Sequence, residues 1–192
     1  MKNDLEIMEN QDNILIEEFL AGKEENFEIL MKKYLTSLFN FVLLFVKDRQ
    51  VAEDLVQESF VKVWKNLNRY DEKKKFKTWL FTIAKHTAFD YLKKKKAIPF
   101  AFFETEENPL LEIPDDNLLP DEILHREDVN QLVKETLDML PENYRTVLEL
   151  YYMQELTLKE IAEVLERSYN TIKSQYARAL LKFKELLVDA SE

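Results

Sequence analysis

Apolar residues recur every three or four positions along most of the chain, which predicts helices rather than strands. From Asp12 to Val46 the positions Ile16, Phe19, Leu20, Phe27, Leu30, Tyr34, Leu38 and Phe41 keep this period and supply core for a helical bundle. In AEDLVQESFVKVWKNL, residues 52–67, Ala52, Val56, Phe60, Val63 and Leu67 form one stripe, and the far side shows Asp54, Gln57, Glu58, Val61 and Lys65. A further helix is predicted over WLFTIAKHTAFDYL, where Trp79 and Ile83 stand at core spacings. Beyond the middle of the chain, Val129, Leu132, Val133, Leu137 and Leu140 mark an amphipathic helix. Pro141 opens the next one at a first-turn position, where a missing N–H costs nothing.

The last segment is the most legible. Thr157 and Glu160 have capping-box spacing, so a helix is predicted from about Leu158 to Leu165 with Ile161, Ala162 and Leu165 inward. Ser168 can cap a second helix whose inner stripe is Ile172, Tyr176, Ala179, Leu180, Phe183 and Leu187. Its other face carries Asn170, Thr171, Ser174 and Arg178, flanked by Lys173, Gln175 and Lys182.

Composition sharpens this picture mainly by exclusion. Gly22 is the only glycine among 192 residues, which removes glycine-rich phosphate loops and supports an all-α fold. Without cysteine, and with His86 and His125 isolated, the chain offers no metal-ligand cluster and implies no cofactor. No nucleophile and base are paired in a catalytic pattern, so an enzyme is not expected. The N-terminus, MKNDLEIMENQDN, is polar and acidic, and the longest unbroken apolar run is Phe41 to Val46. A cytoplasmic protein without membrane insertion is expected.

Charge is distributed unevenly, and the unevenness marks domains. Residues 62–96 hold twelve Lys/Arg against three Asp/Glu, although the whole chain has a formal net charge of -10. Residues 104–122 hold eight acids, no bases and three prolines. Residues 167–184 hold five bases and no acid. The expected organisation is two helical domains, 1–97 and 126–192, joined by a flexible acidic linker over 98–125.

Both basic faces suit nucleic acid. A short helix, a tight turn and a longer helix with a polar, basic outer face form a helix-turn-helix, whose second helix enters the major groove. Lys173 and Arg178 can hold phosphates, while Asn170, Thr171, Ser174 and Gln175 can reach base edges. An αα-hairpin with a solvated basic face has the same apolar pattern, and the lack of acids on that face argues against it. In the first domain, NRYDEKKKFKTW and the helix after it interleave aromatics with lysines, a composition that binds distorted or single-stranded nucleic acid. The Asp54, Gln57, Glu58, Val61 face, alone, fits a solvated surface as well as a docking face.

At these motifs the chain resembles the extracytoplasmic-function (ECF) sigma factors, initiation subunits of bacterial RNA polymerase. AEDLVQESFVKVW and FKTWLFTIAKHTAFDYLKK resemble sigma region 2, and LPENYRTVLELYYMQELTLKEIAEVLERSYNTIKSQYARALLKF resembles region 4. The resemblance implies a region 2 bundle that binds the coiled coil of the largest polymerase subunit through Asp54, Gln57, Glu58 and Val61. It implies −10 element contacts in the loop from about Asn68 to Lys77, with Lys73, Lys74, Lys75 and Lys77, and through Lys85, His86 and Lys93 on the next helix. It implies −35 contacts from Asn170, Thr171, Lys173, Ser174, Gln175 and Arg178, and a region 4 site for the flap of the second-largest subunit. Many members are held by an anti-sigma factor, a partner the resemblance admits here.

The chain departs from common family residues at Lys85-His86, where Arg-Asn is frequent, at Asn170, where Gly is frequent, and at Ser174-Gln175, where Ser-Arg is frequent. These changes bear on promoter sequence, since Gln pairs with adenine where Arg prefers guanine. Two other classes fit parts of the pattern. One is a free-standing helix-turn-helix regulator; the other is a sigma-like protein-binding module without DNA contacts.

Overall fold

The computed structural model describes residues 2–95 and 127–189, so the linker expected over 98–125 lies outside the described residues. Among them the regular structure is helical: α1 Lys2–Leu20, α2 Glu25–Val46, α3 Arg49–Asn66, a 3₁₀ turn Leu67–Arg69, α4 Phe76–Lys94, α5 Glu127–Asp138, α6 Glu142–Tyr152, α7 Leu158–Leu165 and α8 Tyr169–Asp189. Two compact units result, the first built on α1 to α4 and the second on α5, α6 and α8, with residues 163–165 at the end of α7 grouped with the first, and each is described by itself.

In the first unit α2 is central and packs against α1, α3 and α4. Its apolar period puts Leu30, Leu38, Phe41 and Val42 at 1% exposure or less, and Phe41 stacks against Phe45 and Phe81 with centroids 5.0 and 4.9 Å apart. Truncating one such buried ring to alanine costs about 3–5 kcal/mol, so this aromatic seam dominates the bundle. By length and composition α2 could also cross a membrane. Here eight of its residues are buried in the bundle. The predicted stripe of α3 is borne out, with Ala52, Val56, Phe60, Val63 and Leu67 all buried. Leu20 is the exception on the inner side: it ends α1 and is 51% exposed, because the helix stops before a further turn can cover it.

A chain with one glycine must end its helices differently. Gly22 takes φ +103° between α1 and α2, and Lys47, Glu155 and Glu166 take φ of 53°, 51° and 54° in turns where glycine is usual. Each non-glycine residue there costs roughly 1–2 kcal/mol. Lys47 closes α2 by donating its N–H to the Leu43 carbonyl, and Asp48 then caps α3 by accepting from the Val51 N–H at 3.1 Å.

In the second unit α8 packs against α5 and α6. The capping box forms as its spacing predicts, with Glu160 accepting from the Thr157 N–H at 2.7 Å and Thr157 accepting from the Glu160 N–H at 3.3 Å. Ile161 and Ala162 are buried as the spacing predicts, whereas Leu165 is half-buried. A tyrosine wedge joins α6 to α8: the Tyr152 and Tyr176 hydroxyls are 3.0 Å apart, and the Tyr151 and Tyr176 rings lie 4.7 Å apart. Burial, then the Tyr152 bond, holds the Tyr176 phenol far above its ordinary range and keeps it neutral.

Candidate nucleic-acid and protein interfaces

The mixed face of α3 is one wall of a groove. The other wall is α2, and together they enclose about 1110 Å³ lined by Met31, Leu35, Phe39, Gln57, Val61 and Trp64 among others. Leu35, Val61 and Trp64 are 50%, 49% and 53% exposed, an apolar floor larger than scattered surface residues provide. Charge sits on the rim, where Arg49 pairs with Glu53 at 3.2 Å and lies over the Phe39 ring at 5.3 Å. Gln57 and Val61 line the groove; Asp54 and Glu58 are exposed on its outer side, with Glu58 bonded to Lys62 at 2.8 Å. Sequence reasoning missed the α2 wall and Trp64. The available signal was that Trp64 follows Val61 by three positions, on the same side of α3.

The lysine loop is built by its acid rather than by glycine. Asp71 accepts from the Lys73 N–H at 3.1 Å through its side chain, and from the Lys74 N–H at 2.9 Å through its carbonyl. This Asx turn leaves Lys73 and Lys74 exposed on the loop, with Asn68 exposed before them. Lys75 starts α4, and Lys77 lies on its first turn with its ammonium 6.0 Å from the Phe81 ring centroid.

Beside the loop a pocket of about 340 Å³ with a mixed lining opens between α3 and α4, formed by Lys62, Asn66, Arg69, Trp79, Ile83, His86 and Thr87. Trp79 and Ile83, placed at core spacings by the sequence, are half-buried and form its apolar side. His86 is exposed at this pocket, and Lys93 is exposed at the far end of α4. Lys85 differs: it is 7% exposed, its ammonium 5.8 Å from the Phe89 ring centroid, so it has little surface to offer DNA. Neighbouring helix positions are about 100° apart, which turns Lys85 into the bundle while His86 looks out. Lys62 and Arg69 were not among the expected contacts, and only the fold brings them to His86.

On α8 the Thr171 N–H is capped by the Ser168 hydroxyl at 3.0 Å, which leaves Asn170 exposed at the helix start. Thr171, Lys173, Gln175 and Arg178 are half-buried along the outer side. Ser174 is half-buried like them, with its hydroxyl enclosed. Ala177, three positions on, is 2% exposed, so α8 buries a wider arc than the single predicted stripe.

Comparison with known proteins follows the same division. The family model for Sigma-70 region 2 matches residues 30–98, and the model for Sigma-70 region 4 matches residues 130–183. The chain is 30% identical to the ECF RNA polymerase sigma factor SigX of Bacillus subtilis over 82% of its own length and 81% of that protein. It is 30% identical to the RNA polymerase sigma-H factor of Pseudomonas aeruginosa, over 90% of this chain and 92% of that one. Among solved structures, CnrH in complex with the cytosolic domain of CnrY shares the fold with a TM-score of 0.63 at 22% identity, covering 94% of this chain and 99% of that one. Sigma factor RpoE of Bartonella quintana, in complex with the anti-sigma factor NepR, gives 0.60 at 22% identity over 85% and 98%.

Proposed function

This chain belongs to the ECF sigma factors of RNA polymerase, and from that premise we propose how its surfaces share the work of initiation. As such a factor it directs core polymerase to promoters and promotes DNA opening. The α2/α3 groove receives the polymerase, through the coiled coil of its largest subunit: an apolar floor with a charged rim suits a helix that carries basic residues. The second unit binds the flap of the second-largest subunit and lays α8 on the −35 element, with Asn170, Thr171, Lys173, Gln175 and Arg178 toward the DNA.

The observation that carries the reading of the first unit is the basic pocket beside the lysine loop. Lys62, Arg69 and His86 surround an opening whose apolar side is Trp79 and Ile83, and Lys73 and Lys74 are exposed on the loop that follows Arg69 in the chain. Such a site holds an unpaired base against apolar side chains while cations hold its phosphates. We assign it to the −10 element in its melted form, which unstacking must first supply at a cost of a few kcal/mol. The factor itself performs no chemistry, and it works in the cytoplasm, where core polymerase is found. An anti-sigma factor is a fitting regulator, since both fold neighbours were solved with a bound partner chain.

Reconstitution tests this. Core polymerase plus the purified chain is expected to give promoter-specific transcripts and permanganate-reactive thymines, and neither component alone should do so. Tight binding by the chain alone to a palindromic duplex, without transcription, overturns the reading in favour of a free-standing regulator.

A further inference from the structure

The loop of Asp71 to Lys75 carries three consecutive lysines that repel one another, yet it is held in one shape. What holds it begins in α1. The Tyr70 hydroxyl lies 3.2 Å from Asn13 Oδ1 and is also bonded to the Lys74 carbonyl. A phenol has one proton and a carbonyl can only accept, so that proton goes to Lys74. The Asn13 amide, whose oxygen and nitrogen exchange on a flip, then donates to the phenol oxygen. The loop is thereby closed at its end and tied to α1.

Asn13 is in turn fixed by its neighbour. Asp12 is 3% exposed and accepts from both the Tyr34 hydroxyl and the Lys33 ammonium of α2. The Tyr34 ring packs on Phe76 at 5.6 Å, Phe76 packs edge-on against Tyr70 at 5.7 Å, and Tyr70 packs on the pocket residue Trp79 at 5.3 Å. The contacts form a closed circuit, from Asp12 through Tyr34, Phe76 and Tyr70 back to Asn13. It joins α1, α2, the loop and the first turn of α4.

We propose that Asn13 and the Tyr70 hydroxyl are positioning residues for DNA opening, holding the lysine loop in its strand-binding shape before DNA arrives. The inference rests on the reading of this loop as the site for melted DNA. Four like charges, at Lys73, Lys74, Lys75 and Lys77, would otherwise spread over many conformations, and binding would have to order them. A loop already ordered binds more tightly with no new contact to DNA. Tyr70→Phe keeps the ring stack and removes only the tether.

The test uses holoenzyme and the twelve-nucleotide single-stranded DNA that wild-type holoenzyme selects from a random pool, followed by fluorescence anisotropy. Tyr70→Phe is expected to weaken binding about 3- to 10-fold, and Asn13→Ala by a similar factor. The double variant should lose no more than either, since both remove one tether. Thermal midpoint and core-polymerase affinity should stay at wild-type values, which a general loss of fold would not allow. Amide exchange over Asp71–Lys75 should quicken in both variants while α3 is unchanged. Wild-type affinity in both single variants, or losses that multiply in the double, overturns the inference. Lys73, Lys74, Lys75 and Lys77 changed together to Ala separates the two failures. If that variant loses binding while Tyr70→Phe does not, only the positioning role is wrong; if it too binds normally, the strand-binding reading has failed.

Discussion

Lys62 on α3 donates to the Thr87 hydroxyl on α4 at 3.0 Å, across the rim of the pocket between these helices. Its ammonium also pairs with Glu58 at 2.8 Å, so the charge is held at the pocket rather than sweeping through solvent. For Lys62→Met the expected outcome is slower promoter opening and a shallower salt dependence of single-strand binding, by about 0.7 in the slope of log K against log salt for one phosphate contact. Thr87→Val keeps the charge and should leave that slope unchanged. Titrating holoenzyme with single-stranded DNA over a series of salt concentrations measures both, and an unaltered slope in Lys62→Met removes Lys62 from the DNA site.

Trp64 is the residue that tests the proposed docking of polymerase in the α2/α3 groove. It is 53% exposed in the free chain, so Trp64→Ala should cost the fold little while it removes the largest apolar surface on the α3 wall. Buried aromatic anchors contribute about 2 kcal/mol or more to interfaces, which corresponds to at least tenfold weaker core binding. Asp54→Arg with Glu58→Arg should also weaken it, through charge on the outer side of the groove. Circular dichroism should remain native in both variants. Native dichroism with wild-type core affinity in Trp64→Ala means that the groove is not the docking surface.

How far the sequence could be read depended on whether a feature was local. The Thr157–Glu160 capping box, the Ser168 cap, the stripe of α3 and the stripe of α8 up to Phe183 involve residues within a few turns of each other, and all were legible, while Leu187 near the end of α8 is only half-buried. Groove and pocket were only half legible, because each has walls on two helices. Val61 could be seen on α3, yet nothing local says that Leu35 faces it; Lys62 and His86 meet only once α3 packs on α4. Lys85 was misplaced for another reason. Residue type suggested a surface, while a rotation of one position along the helix decided it.

Arg178 lies on the outer side of α8, about two turns beyond the helix start that is proposed to read bases. A phosphate contact gives affinity without sequence preference. Arg178→Ala should therefore weaken duplex binding to a similar extent on all promoters and reduce the salt slope by about 0.9. Asn170→Ala, at the exposed helix start, should instead change which −35 sequence is preferred. Binding measured against a panel of −35 variants distinguishes the two, and a change of preference in Arg178→Ala would move that residue from phosphate to base contact.

The second unit should also lose stability as pH rises toward neutrality, because of Glu149. Burial pushes its carboxyl up from 4.5 to about 7, and Asp138 adds to the shift. Arg145, 3.9 Å away, pulls the carboxyl back down by more than Asp138 raises it but by less than burial does, and gives its closer bond, at 3.0 Å, to Asp138. In the unfolded chain Glu149 releases its proton near 4.5, whereas the folded protein keeps it until about 7. Between those values the folded state binds more protons, so stability falls as pH rises through this window and levels off above it. At 1.36 kcal/mol per unit the loss is at most about 3 kcal/mol. Glu149→Gln should remove this slope and make the second unit more stable than wild type at pH 8. Urea unfolding can be followed by circular dichroism, which sees every helix, and by tryptophan fluorescence, which sees the first unit alone because Trp64 and Trp79 both lie there. A dichroism transition that keeps its decline between pH 5 and pH 7 in Glu149→Gln would assign the effect to another group.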